Sequence, residues 1–294
     1  MYSGTYRKKI YITACIGVIV VILIFWLANS HKSSCNVAYI KLHGEVVTYI
    51  TPPDATSPTD TYLSFPPSDA TSTDPSDQAA PQDTSEAFDQ TASEDVTQAI
   101  RQAAADSSIK AIVLEIDSYG GSPVAGQEME LALKHAQKPT VALIRQSGDS
   151  AAYMAATGAD IIYASVFSDV ADIGITESYV DNAKQDVTNG LTFEQLSVGK
   201  YKDMFNPDKP LTADERTLAM KELQISYQNF VKMVADNRHM SVEKVTALAN
   251  GAPMTGEEGV QNGLIDKLGN VDDVRSYLTG ELKQNAVICG IDNY

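Results

Sequence analysis

A serine and a lysine are the residues of this chain best suited by type to do chemistry: Ser150 in GDSAAYMAA and Lys202 in GKYKD. A serine hydroxyl is a weak nucleophile until a base removes its proton. A lysine serves as that base when burial destabilises its ammonium. The four histidines, His31, His43, His135 and His239, stand in no charge-relay spacing, so a serine–lysine pair is the better candidate for hydrolysis. Alone, each motif reads as structure: a serine among alanines suits a helix start, and KYKD suits a solvated loop. The functional reading needs nucleophile, base and oxyanion donors together. Ser147 and Lys200 are the competing serine and lysine.

The elements around these residues alternate. Residues 36–50 read as a first strand, alternating and β-branched. Residues 94–105 suit a helix with Ser93 as cap, and AIVLEID (111–117) is an apolar run of the kind found in buried parallel strands. SYGGSP ends that strand, and 123–136 forms a helix with proline in its first turn. TVALIR (140–145) is the next strand, followed by the small-residue helix from Ser150, a strand at 160–164 and another around 173–180. Such alternation implies βαβ units with right-handed crossovers, an α/β fold. A long helix spans 213–238, with Thr212 and Glu215 as a capping box and a core or subunit-contact stripe from Met220 to Val234. Shorter elements follow at 241–250 and 256–266, and the tail 280–294 carries no assignment.

Composition bounds the setting. The chain has 294 residues and a formal charge of −16, which argues against nucleic acid as a partner. Residues 10–28 carry no charge and are long enough to cross a bilayer as a helix, which takes about 20 residues. Arg7, Lys8 and Lys9 precede the run, so the N-terminus is expected in the cytoplasm and the rest of the chain outside. A cleaved signal peptide is the rival reading, although its apolar region is usually shorter. Residues 51–93 are an acidic Pro/Thr/Ser/Asp-rich insert expected to be disordered. The domains are therefore 1–35 as N-terminus and anchor, 36–279 as the globular domain with its insert, and 280–294 as tail. Cys15, Cys35 and Cys289 show no metal or disulfide spacing, so neither a metal nor a bridge in the ordered domain is expected.

The order of motifs resembles one family. A strand ending in IDSYGGSP, a second leading to GDSAAY and a later stretch GKYKD are similar to the signal peptide peptidase A (SppA) family, membrane-anchored serine–lysine peptidases of the Clp protease/crotonase superfamily. Tyr153 and Asp160 follow Ser150 as in that family, Asp203 follows Lys202, and Thr255-Gly256 and Gly263-Leu264-Ile265-Asp266 match downstream turns. The resemblance implies a Clp/crotonase-like fold of repeated ββα units, Ser150 as nucleophile, Lys202 as base, and Gly121 and Ala151 as the oxyanion hole. It also implies peptide substrates such as signal-peptide remnants, no cofactor, and a homo-oligomeric ring in which serine and lysine can come from neighbouring subunits. Three departures stand out: Tyr119 for the turn's proline, Ala151-Ala152 for two glycines, and Asp172 where the family commonly has serine. The first two are expected to narrow the room beside the scissile bond. A carboxylate at 172 beside Lys202 would favour the charged amine and oppose its use as a base, unless it points away. A catalytically inactive envelope scaffold or peptide-binding protein of the same fold is the alternative.

Overall fold

A computed structural model describes residues 35–50 and 89–290. The run expected to be an anchor, 10–28, and the insert as far as residue 88 lie outside the described residues. Among the described residues, no helix is long and apolar enough to cross a membrane.

The apolar runs assemble into one sheet. β1 (Val37–Val47), β2 (Gln90–Ala92), β3 (Ala111–Gly121), β4 (Thr140–Asp149) and β5 (Ile161–Ala164) lie parallel in the order β2-β1-β3-β4-β5. Crossover helices return the chain between strands: α1 (Ser93–Ala105), α2 (Pro123–Lys134) and α3 (Ser150–Ala156). On the helix side, Ile112, Leu114, Ile116 and Ile144 meet Val96, Ile100, Met129 and Tyr153, all buried. Burying each such side chain contributes about 1.5–3 kcal/mol, which is why strands covered on both faces read as unbroken apolar runs. Ser93 is the first helical residue rather than the expected cap; its Oγ donates to Glu128 Oε2 at 2.5 Å.

The strand expected near 173–180 is not formed. Its place is taken by β6 (Asp169–Ala171), which runs beside the end of β4. Ala171 and Asp172 adopt left-handed φ values of 77° and 43°, which end the extended run, and residues 172–182 are irregular. After α4 (Ala183–Thr188), the expected long helix is α5 (Ala213–Asn237), with the reciprocal cap between Thr212 and Glu215 in place. Its stripe divides: Phe230 and Val234 are buried, whereas Met220 stands exposed, as does Ile225 off the stripe. Two short helices follow, α6 (Val242–Leu248) and α7 (Gly256–Asn262), with β7 (Pro253–Thr255) pairing antiparallel to β6 between them.

β8 (Lys267–Leu268) joins the sheet beside β5, and α8 (Val271–Leu282) covers the second face, where Val274 and Leu278 pack on Val113, Val141 and Tyr163. The segment after α8 returns to the start of β1. Asn36 and Val37 donate their N–H groups to Val287 O at 2.9 and 3.1 Å, and Cys289 donates to Val37 O at 2.9 Å. Cys35 and Cys289 are joined by a disulfide, Cα to Cα 5.0 Å, which corrects the expectation of no bridge in the ordered domain. The partners are 254 residues apart, so the pairing has no local spacing.

Candidate active site

The carboxyl ends of β3, β4 and β6 meet at one place, the end of a parallel sheet where α/β folds generally bind ligands. β4 stops at Asp149, and Ser150 begins α3 with a left-handed φ of 50°. For a non-glycine residue that conformation costs on the order of 1–3 kcal/mol, and such strain concentrates at functional sites. A sharp strand-to-helix turn of this kind lifts a nucleophile clear of the sheet. Ser150 is half-buried and opens on a cavity of about 490 Å³ shared with Gly121, Pro123, Asp172, Tyr227 and the Asn250–Gly251 turn. Two larger clefts, of about 620 Å³ between α1 and α2 and about 530 Å³ between α2 and α5, contain no serine beside a glycine turn.

The glycine turn of β3 lies against Ser150. Gly120 has φ 100° and Gly121 φ 149°. A Cβ on Gly120 would stand 2.8 Å from Ser150 Cβ and 2.9 Å from Ala151 N, so only glycine allows this approach. Ser118 fixes the turn, its Oγ donating to Gly44 O at 2.5 Å and accepting from Gly120 N at 3.0 Å. Gly121 and Ser150 thus line the same cavity. The Ala151 and Ala152 methyls are buried and Ala151 packs on Gly126, while Tyr119 is 70% exposed. None of the three lines the cavity.

The remaining matched residues hold the frame. Tyr153 is fully buried and donates from its hydroxyl to Leu264 O at 2.8 Å. Asp160 accepts from Thr140 N and Oγ1 at 2.8 and 3.0 Å; Asp266 accepts from Ile162 N at 2.7 Å and pairs with Arg238. Ser147, the competing nucleophile, is buried with its Oγ unpartnered, closed off from solvent. Lys200, the competing base, is exposed and paired with Asp214.

Lys202 stands on an exposed stretch of the chain. It sits on the exposed segment after Gly199, with its backbone N–H on Gly199 O at 3.1 Å, and it does not line the Ser150 cavity. Around it Leu196 and Val198 are 97% and 98% exposed. Asp172 does line the cavity, and partial burial raises its carboxyl above the usual range. Sequence reasoning missed Asp149. Its carboxyl is 4% exposed, its Oδ1 has no partner among the described residues, and its pKa is pushed up to about 7. Burial is the main cause, followed by the charges of Asp172 and Asp169. A polar residue immediately before a candidate nucleophile was the available signal.

The model of one family, Peptidase family S49, matches residues 132–285. A putative protease of Methanocaldococcus jannaschii is 32% identical over 173 residues, 57% of this chain and 55% of the relative. A putative signal peptide peptidase SppA of Enterococcus faecium is 28% identical over 181 residues, 60% of this chain and 53% of the relative. Protease 4 of Salmonella typhi is 31% identical over 173 residues, 57% of this chain and 28% of the relative. The chain thus spans about half the length of the first two and about a quarter of the third. Among solved structures, a ClpP1 mutant from Listeria monocytogenes is loosely alike, with a TM-score of 0.42 at 14% identity over 61% of this chain and 85% of that one. Half of the sequence, from the last turn of α2 through α8, answers to a single family description: the chain belongs to peptidase family S49.

Proposed function

We propose that this chain is a serine endopeptidase, held at a membrane by its N-terminal apolar run, that cuts peptides through Ser150 with Lys202 as general base. The observation that carries the reading is Ser150 itself: a strained serine at a strand–helix junction, facing a cavity and a glycine turn. Ser150 Oγ attacks the scissile carbonyl while its proton passes to the neutral amine of Lys202. The N–H groups of Gly121 and Ala151 hold the resulting oxyanion. Lys202 then protonates the departing amine, and a water it deprotonates releases the acyl group from Ser150. No cofactor enters these steps.

Lys202 reaches the serine of a neighbouring subunit in this reading. In support, its segment presents Leu196 and Val198 almost wholly to solvent, and the exposed half of α5 adds Met220 and Ile225. Apolar surface of that kind marks a contact with another chain. Family membership and the parallel sheet support a Clp protease-like subunit. The Cys35–Cys289 bridge supports an oxidising compartment, consistent with a domain outside the cytoplasm. Signal-peptide remnants are the proposed substrates. The competing reading, a silent scaffold, is favoured by the placement of Lys202 away from the cavity and by Asp172 within it.

A serine-directed fluorophosphonate probe and a mixing experiment test the proposal. Ser150→Ala and Lys202→Ala should each abolish peptide hydrolysis, and Lys200→Ala should not. Co-assembled Ser150→Ala and Lys202→Ala chains should regain part of the rate, since some contacts then pair an intact serine with an intact lysine. Full rate in Lys202→Ala, or no probe labelling of Ser150, would refute the mechanism.

A further inference from the structure

The peptidase reading gives Asp172 no task, yet the fold holds it firmly in the wall of the nucleophile's cavity. β4 and β6 are in register with Asp149 opposite Ala171, so Ser150 and Asp172 leave the two strand ends side by side. Consecutive left-handed φ values at Ala171 and Asp172 turn the chain there, at a cost on the order of 1–3 kcal/mol each. Among the described residues, no other carboxylate, and no lysine, arginine or histidine, lines the cavity. The Asp172 carboxylate has no hydrogen-bond or ion-pair partner among the described residues. Asp149, close enough to feel the charge of Asp172, also has an unpartnered oxygen among the described residues.

A part-buried carboxylate without a cation is costly, and a positive charge placed between the cavity and solvent would offset that cost. Lys202 is a poor candidate for the role. Paired with a carboxylate it would stay an ammonium and could take no proton from Ser150. The cation that helps catalysis must therefore arrive on the substrate. A volume of about 490 Å³ leaves room for a long side chain, and Thr176, Tyr227 and Asn250 offer polar walls rather than an apolar sleeve.

We propose that Asp172 is a specificity-determining residue, and that the cavity beside Ser150 takes a lysine or arginine side chain of the peptide next to the bond to be cut. The inference rests on the peptidase reading and names its substrate class. It also gives the carboxylate a second effect. A bound substrate cation compensates the field of Asp172, leaving Lys202 free to be neutral, so basic peptides gain in turnover as well as in binding. An acidic side chain in the same place meets the like charge of Asp172 and is refused.

The test uses the full chain and a set of internally quenched peptides differing only by Lys, Arg, Leu or Glu on either side of one bond. Basic residues should raise kcat/KM over Leu by about tenfold or more, and Glu should lower it. Asp172→Asn, which keeps the shape, and Asp172→Ser should both erase the preference. A second arm measures binding of the same peptides to Ser150→Ala, with and without Asp172→Asn. Cleavage that favours Leu, or a basic preference that survives both Asp172 variants, overturns the inference and leaves the peptidase reading standing. Basic-peptide binding that depends on Asp172 in a chain that cuts nothing would uphold the cavity's choice of a basic side chain and overturn the peptidase reading. Neither cleavage nor Asp172-dependent binding overturns both.

Discussion

Replacing Gly120 by alanine should disable Ser150 more than it destabilises the fold. The added Cβ would lie 2.8 Å from Ser150 Cβ and 2.9 Å from both Ala151 N and Asp149 O, distances at which backbone must move. Two costs combine: a left-handed φ of 100° for a residue with a side chain, about 1–2 kcal/mol, and overpacking, about 1–3 kcal/mol. Together they come to about 2–5 kcal/mol, or a Tm loss of about 4–20 °C for a domain of this size. Gly190→Ala is the control, because Gly190 shares the left-handed φ, at 77°, and has nothing within 4 Å of its would-be Cβ. It should show the smaller loss alone. Displacement of a reacting atom by even 1 Å costs about a hundredfold in rate. Fluorophosphonate labelling of Gly120→Ala should therefore fall about a hundredfold at temperatures where it remains folded, while Gly190→Ala labels normally. If Gly120→Ala labels at the wild-type rate with the same Tm loss as the control, the turn does not position the nucleophile and the reasoning fails.

Asp149 and the disulfide give two further expectations. In the folded chain the Asp149 pKa is raised to about 7, chiefly by burial, against about 3.9 unfolded, so the folded state holds the proton more tightly. Stability should then fall as pH rises from about 4 to about 7 and level off above, and Asp149→Asn should remove that slope in Tm measured against pH. An unchanged slope would mean that another group carries it. Cys289→Ser, or a reductant, should lower stability by about 2–4 kcal/mol and leave the rate at low temperature intact, as thermal melting beside a peptide assay would show. Equal Tm values with and without reductant would remove the bridge as a stabilising element.

What the sequence disclosed follows from how local each signal is. AIVLEID and TVALIR are buried strands because nothing polar interrupts them, and Thr212 with Glu215 marks a helix start that the structure keeps. The Ser150 turn was legible through its glycine and small-residue neighbours. The end of β6 at Ala171 was not, because residues 173–180 have strand-like composition and only tertiary contacts force the left-handed turn before them. Cys35 and Cys289 meet only once the tail has crossed the whole second face of the sheet. Asp149 looked like an ordinary polar residue, and its significance depends on register with Ala171. Lys202 was singled out by motif, and its exposed position outside the Ser150 cavity is set by the irregular path of the chain, which motif spacing does not carry.

The stitching of Cys35 to Cys289 has a consequence for geography. Whatever precedes Cys35 enters at the amino ends of the strands, where Val37 pairs with Ala111, while Ser150 sits past the opposite ends. An eleven-residue strand such as β1 spans about 33 Å. The Ser150 cavity therefore opens a full strand's length from the point where the chain enters β1. Under the proposed anchoring, a peptide on the bilayer would have to rise by that length to meet Ser150.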